Sequence, residues 1–221
     1  MNQQSERFFS QIRIYSSQSE TLCEEMAVLF GTSPGVFQLG NTTIDVVSAD
    51  ADSLGERAAV VGGLIVHGKS PDLPTDCRGL DIQLAEQAPI NVVRTDSSLP
   101  GIQTVDHVVL RTANANDCIR LFRDDLGARL ALDQTVEEWG GRMLFFREGG
   151  MTLEVIEESS KRPKQDFFWG ICYRCGDIET THENLVSRGV SMTEIREGRK
   201  PGTRVATIKS HVGGIPSLLL E

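Results

Sequence analysis

The chain has 221 residues, 39% of them hydrophobic and 24% charged, a balance typical of a globular protein with a sizeable core. Its 22 basic and 31 acidic residues leave a net charge of −9, so we expect neither nucleic acid nor an anionic membrane surface as a partner. No run reaches the ~18 apolar residues of a membrane span, and five cysteines without an export signal predict reduced thiols in a cytoplasmic protein.

The first half of the chain is weakly patterned. Residues 11–15 predict a strand, and an amphipathic helix ended by a glycine follows it. Residues 62–67 and 80–84 predict two more strands without a helix between them. We therefore assign residues 1–87 to a degenerate unit and the proline-containing segment 88–103 to a linker.

The second half begins with a clear strand, helix and hairpin. The β-branched run VDHVVLRT at 105–112 predicts a strand. Residues 116–126 space their apolar side chains for one helical face, and Gly127 stands where that helix should end. Residues 141–146 and 151–157 flank a Gly-Gly turn, which is typical of a β-hairpin.

The same order of elements then recurs. Residues 167–175 predict a strand, 179–187 a helix, and Gly189 its end, before another pair of strands about a Gly-Gly turn. We interpret 104–157 and 167–221 as two copies of one folding unit. Each copy would cover one face of a short sheet with its helix, so pairing two copies would curl the sheets into a cup.

This repeat resembles the vicinal oxygen chelate superfamily, which contains glyoxalase I, bleomycin-resistance proteins and extradiol dioxygenases. The resemblance is good over residues 102–221 and weak over 6–87. It implies an α+β fold of paired βαβββ modules around a cup-shaped mixed sheet, with a degenerate, shortened amino-terminal copy. The segments that carry it are 105–110 (VDHVVL), 126–128 (LGA), 149–155 (GGMTLEV), 201–205 (PGTRV) and 215–219 (IPSLL).

The resemblance also implies a metal site. In metal-using members the first strand of a module supplies a His or Gln and the last strand a Glu, which by position nominates His107 and Glu154. Imidazole and carboxylate together suit divalent Zn, Mn, Fe, Co or Ni. Without a metal, burial would raise the pKa of Glu154 and make it a candidate general base. The partner module has Gly170 and Leu218 at these positions, so the ligand set is incomplete.

The first half does not complete this set. Gln11 matches His107 and Asp45 matches Glu154, which makes them weaker second-site candidates, while Gly63 and Gln83 fill the remaining places. Either a second chain in a homodimer supplies the missing ligands, or the metal site has been lost. The degenerate half would then serve as a lid or a dimerisation element.

Three other side chains are candidate ligand-binding residues. Arg111 and Arg174 occupy equivalent places in the two copies, where they would flank the cup and clamp a carboxylate or phosphate. Phe168 shares the alternation of Gly170, so we expect it to line the cup and stack on an aromatic ligand.

A C-x-x-C pair at Cys172 and Cys175 raises a redox or zinc reading. We reject it, because residues three apart on a strand point to opposite faces of the sheet.

Two functions remain. A metal-dependent enzyme of lyase, isomerase or dioxygenase type is favoured by His107 with Glu154. A metal-free protein that binds a small molecule in the same cup is favoured by Gly170 and Leu218, which would open space and replace charge with hydrocarbon.

Overall fold

A computed structural model describes residues 9–66, 73–85, 92–94, 101–148 and 150–221. Within these ranges the strands form one six-stranded and one eight-stranded mixed sheet. No helix of the described chain is both long and apolar enough to cross a membrane. Most of the predicted linker at 88–103 lies outside the described residues, so the domain boundaries stay predictions.

The first sheet takes its strands from the amino-terminal half, and its spatial order is β5-β4-β1-β3-β2-β6. Its elements are β1 (Phe9–Ser16), α1 (Ser19–Phe30), β2 (Val36–Gln38), β3 (Thr43–Ser48), α2 (Ala51–Leu54), β4 (Ala59–Val66), β5 (Asp81–Leu84) and β6 (Val92–Arg94).

The second sheet has the order β12-β13-β14-β11-β7-β10-β9-β8. Its first module contains β7 (Ile102–Thr112), α3 (Ala115–Ile119) with a π-helical continuation (Arg120–Asp125), β8 (Leu130–Val136), a 3-10 turn (Glu137–Trp139), β9 (Gly141–Glu148) and β10 (Met151–Glu158). Its second module contains β11 (Phe167–Cys175), α4 (Ile178–Ser187), β12 (Arg196–Glu197), β13 (Arg204–Ile208) and β14 (Ser217–Leu220).

The two modules are related by their strand pairing. In each, the first strand pairs in parallel with the last, β7 with β10 and β11 with β14, and the two first strands meet antiparallel at the centre. Gly127 and Gly189 end the module helices with φ of 80° and 88°, a left-handed conformation that glycine adopts without strain. The predicted α+β fold of paired modules is confirmed.

The first sheet is a shortened copy of the second. Its run β5-β4-β1-β3-β2 corresponds strand for strand to β14-β11-β7-β10-β9, with the same parallel and antiparallel pairs. The helix α1 lies between β1 and β2, as the sequence predicts. The amino-terminal half is therefore a degenerate copy of the module pair in the structure, as the sequence predicts.

The helix-covered faces of both sheets share one apolar core. Ile12 and Ile14 of β1 belong to the same buried cluster as Val108 and Leu110 of β7. The ring of Phe30 in α1 packs against the fully buried ring of Tyr173 in β11, with 5.8 Å between the two ring centroids. Each sheet turns its other face away from this core, and we call that face of the second sheet the cup face.

Polar contacts at Asn41 and Arg78 help to join the two halves. The Asn41 amide nitrogen donates to the carbonyls of Val105 (2.6 Å) and Gly150 (3.1 Å), and its oxygen accepts from the Val105 N–H. The Arg78 guanidinium donates to the buried Asp166 carboxylate at 2.5 Å and 3.2 Å. Both contacts join the amino-terminal half to the two modules of the second sheet.

We expect Asn41→Ala to lower the free energy of unfolding by about 1–3 kcal/mol, since it leaves the buried Val105 amide and carbonyl without their partner. Urea denaturation followed by circular dichroism measures the change. Asn184→Ala, at a half-exposed position of α4, is the matched control and should change stability by less than about 0.5 kcal/mol. Equal effects for the two variants would show that Asn41 does not join the halves.

Candidate functional site

The site is built on a β-bulge in β7. Cys172 of β11 pairs with His107, but the next residue, Tyr173, pairs with Val105, so Asp106 is an extra residue in the ladder. A bulge lets two successive side chains lie on one side of the sheet. Asp106 and His107 both reach the cup face, while Val105 and Val108 turn into the core.

His107 lies between two carboxylates. Its Nδ1 is 2.9 Å from the Asp106 Oδ2, and its Nε2 is 3.3 Å from the Glu154 Oε2. Glu154 reaches this place because β10 pairs in parallel with β7, with Thr152 opposite His107 and Glu154 two residues further on the same face. The structure thus brings together the two side chains that the sequence nominates as a pair.

The two carboxylates have opposite pKa shifts. Burial raises the pKa of Asp106, but hydrogen bonds from His107 and Arg174 outweigh it and lower the pKa to about 2. Burial also raises the pKa of Glu154, and the positive charges of His107 and Arg199 offset this only in part. Glu154 is therefore a half-buried acid whose cationic neighbours do not fully offset its desolvation.

The arrangement fits a divalent metal. Donor atoms about 2.1 Å from a metal lie about 3.0–3.4 Å from each other, which matches the 3.3 Å between His107 Nε2 and Glu154 Oε2. Asp106 on the opposite ring nitrogen is placed as the outer carboxylate that orients many metal-binding histidines. His107 and Glu154 can hold a metal from one side.

The fold and site can now be compared with known proteins. Residues 106–207 match the family model of the glyoxalase/bleomycin resistance protein/dioxygenase superfamily. The matched segment, a little under half of the chain, is similar to members of that superfamily. This superfamily, also called the vicinal oxygen chelate superfamily, is the group that the sequence pattern resembles. No curated protein matches the chain significantly.

Solved structures extend the likeness to both halves. A mutant of 4-hydroxymandelate synthase from Streptomyces coelicolor is 14% identical and has a TM-score of 0.68, covering 97% of this chain and 92% of that one. Methylmalonyl-CoA epimerase from Mycobacterium tuberculosis is 19% identical, with a TM-score of 0.45, and covers 54% of this chain and 88% of that one. At 14% identity the likeness to the synthase shows the fold alone.

The second module has no metal-binding side chain at the positions where, by the resemblance described above, metal-using members of the superfamily have metal ligands. Leu218 pairs with Cys172 as Glu154 pairs with Val109, so it occupies the position equivalent to Glu154, and it packs with Val205 and Leu220. Gly170 does not open space in the cup, contrary to our expectation. A Cβ at Gly170 would lie 2.4 Å from the carbonyl oxygen of Pro216, so the glycine serves a close backbone approach.

The two predicted clamp arginines are already paired. Arg111 donates to Glu158 at 2.5 Å, and Arg174 donates to Asp106 at 3.0 Å. Their charges are shared with carboxylates of the protein, which weakens both as anchors for an anionic ligand. Arg199 is exposed and close enough to Glu154 to lower its pKa, so it is the better placed cation.

Phe168 does not line the cup, contrary to prediction. A bulge at Trp169 breaks the alternation, because Phe168 pairs with Leu110 whereas Gly170 pairs with Val109. The Phe168 ring therefore lies in the core, where it borders a cavity of about 730 Å³ between the halves.

The first half keeps the equivalent positions with other chemistry. Gln11 pairs with Thr43 as His107 pairs with Thr152, which places Asp45 where Glu154 stands in the second sheet. Burial raises the pKa of Asp45, and nearby Arg13 partly offsets the shift. Gln11 and Asp45 stay predicted residues of a second site, and Arg13 already supplies a positive charge near Asp45.

Asp106, Cys172 and Arg199 are site residues that sequence reasoning missed. Asp106 is adjacent to His107, but simple alternation assigns it to the opposite face, and only the bulge reverses this. Cys172 was visible as part of the C-x-x-C pair. Its partner Cys175 lies in the core and donates to the Leu220 carbonyl, so the two thiols lie on opposite faces.

We expect Gly170→Ala to destabilise the protein by about 1–3 kcal/mol, because the new Cβ would force β14 away from β11. Thermal and urea unfolding measure the loss. Gly101→Ala is the control, since a Cβ there meets no atom within 4 Å. An unaltered Gly170→Ala protein would mean that the strands can separate freely at this point.

The two carboxylates beside His107 should respond oppositely to substitution in the metal-free protein. Because the pKa of Glu154 is raised, ionisation of Glu154 lowers the free energy of unfolding as the pH rises. Glu154→Gln should therefore be more stable than wild type between pH 4 and pH 8. The lowered pKa of Asp106 means that its charge stabilises the fold above about pH 4, so Asp106→Asn should lose stability there. Urea unfolding with a chelator present measures both, and shifts of the same sign would contradict the assignment.

Proposed function

We propose that the cup face is the active site of a metal-dependent enzyme, in which His107 and Glu154 hold a divalent ion. The observation that carries the proposal is the placement of His107 between Asp106 and Glu154, with the Glu154 carboxylate half-buried and its desolvation only partly offset by positive charge. Desolvation disfavours the charged carboxylate, and a divalent ion would offset that cost.

When bound, the metal would act as a Lewis acid toward a substrate with two neighbouring oxygens. The chain's own residues would divide the remaining work. Asp106 would fix the ring orientation of His107, and Arg199 would attract an anionic group on the substrate. The hydrocarbon surface around Leu218 and Leu220 would bind the apolar part of the same molecule. The reaction would be of lyase, isomerase or dioxygenase type.

A second candidate function is metal-free binding of a small anionic or aromatic molecule. The second module favours it, because Leu218 stands at the position equivalent to Glu154 and lies among hydrocarbon side chains. A homodimer remains part of the metal-dependent proposal, since a second copy of the chain would be one source of the missing ligands.

We expect tag-free protein to bind Zn²⁺ or Co²⁺ at one site per chain, measured by titration calorimetry and by elemental analysis after dialysis. His107→Ala and Glu154→Gln should each weaken binding at least tenfold, since each removes a donor from the pair. His182→Gln and Glu183→Gln on α4 are matched controls and should bind like wild type. Unchanged metal binding in His107→Ala would overturn the proposed site.

The alternative is tested with the same variants. Under metal-free binding, a thermal-shift screen of aromatic carboxylates should raise the melting temperature with ligand concentration in the presence of a chelator. Arg199→Ala should reduce that shift, while Lys200→Ala, its exposed neighbour, should not. A rise in melting temperature that occurs only with added metal would instead favour the metal-dependent enzyme.

A further inference from the structure

We propose that the cavity between the two halves is a second ligand site, which binds a small aromatic carboxylate through the guanidinium of Arg57. The cavity has a volume of about 730 Å³, within the range of about 300–1,000 Å³ that is typical of small-molecule sites. Among the described residues, its lining includes none of His107, Glu154 and Arg199. The proposal is therefore independent of the function proposed for the cup face.

Both halves of the chain form the walls of this inter-half cavity. The first half contributes residues 60–62 of β4, and the second contributes residues 165–168 at the start of β11. In the described strand pairs, β5 reaches β4 only from Gly63 onward, and β14 reaches β11 only from Ile171 onward. The cavity lies where neither outer strand covers its inner strand.

Three aromatic side chains give the cavity an apolar lining of flat rings. Phe167 and Phe168 come from β11, and Tyr15 comes from β1. The Tyr15 ring lies against Gly62, where a Cβ would collide with it, and the Tyr15 hydroxyl donates to Asp81. Aromatic rings bind another ring in offset or edge-on contact. The lining therefore suits a ligand with an aromatic body.

Arg57 gives the cavity a group that can bind an anion. Its guanidinium lies 5.1 Å from the centroid of the Phe167 ring, in a cation–π contact. Arg78, Arg111 and Arg174 each form an ion pair with a carboxylate, whereas Arg57 forms none with any residue that the structure describes. Stacking occupies the face of a guanidinium and leaves its N–H groups able to donate in its plane. Arg57 can therefore bind a ligand carboxylate while it stays on Phe167.

The other charged residues of the lining are both acidic. Asp166 is already neutralised, because the Arg78 guanidinium donates to its carboxylate at 2.5 Å and 3.2 Å. Asp50 is exposed, and its charge would repel a ligand carboxylate. We therefore expect the anionic group of the ligand on the Arg57 side, and we expect removal of the Asp50 charge to strengthen binding.

The test is a calorimetric titration of the full chain with 2-naphthoate, with a chelator present, beside the uncharged 2-naphthamide. Arg57→Gln should weaken 2-naphthoate binding about tenfold or more, because it removes a charge-assisted hydrogen bond. Arg123→Gln, at an exposed arginine outside the lining, is the matched control and should bind like wild type. Asp50→Asn should bind at least as tightly as wild type.

Two further comparisons locate the ligand. In wild type, 2-naphthamide should bind about tenfold more weakly than 2-naphthoate, and in Arg57→Gln the two affinities should be similar. Ala49→Trp places a large ring in the lining, so it should abolish 2-naphthoate binding at this cavity and leave Zn²⁺ binding unchanged.

Equal affinity of wild type and Arg57→Gln for 2-naphthoate, or no binding by wild type, would overturn the second site. Binding that Arg199→Ala weakens and Arg57→Gln does not would place the ligand in the cup and support the metal-free function instead. Should Arg57→Gln not fold, equal wild-type affinities for 2-naphthoate and 2-naphthamide would overturn the site. Each of these failures leaves the Zn²⁺ titration of His107→Ala and Glu154→Gln unaffected, so the two proposals fail separately.

Discussion

The antiparallel pairing of β7 with β11 is the constraint on which the rest of the site depends. It joins the two modules of the second sheet, sets His107 opposite Cys172, and contains the bulge that brings Asp106 to the same face. Without that bulge, Asp106 would point into a core made of Val108 and Leu110. One inserted residue in one ladder therefore creates both the polar character of the cup and the orientation of its histidine.

The cup face has less positive charge than its two carboxylates need. Asp106 shares two positive partners and is readily ionised, whereas Glu154 depends on the same histidine and a more distant arginine. Proteins tolerate such costs mainly at sites of function, where a bound ligand supplies the missing interaction. The polar contacts at Asn41 and Asp166, by contrast, have their hydrogen bonds.

The duplicated modules have diverged into different halves of one cup. The first contributes imidazole and carboxylate from β7 and β10, and the second contributes a hydrocarbon surface from β13 and β14 with a thiol from β11. The same contrast extends to the amino-terminal sheet, where Asp45 keeps the acidic position but has Arg13 beside it. Equivalent backbone positions thus carry different chemistry, since the fold fixes where a side chain stands and not what it is.

Several features could be predicted from the sequence alone. Periodicity and glycine positions identified the helices and most strands of both modules, but not β8 and β12, because burial on one face and the left-handed turns at Gly127 and Gly189 leave local signals. The resemblance to the vicinal oxygen chelate superfamily nominated His107 together with Glu154, and the parallel register of β7 and β10 brings the two side chains to one place. Tertiary structure decided what depended on pairing between modules: the reversed faces of Asp106 and Phe168, and the place of Cys172 opposite His107. Bulges and cross-module register leave no local pattern, since they result from how two distant segments hydrogen-bond to each other.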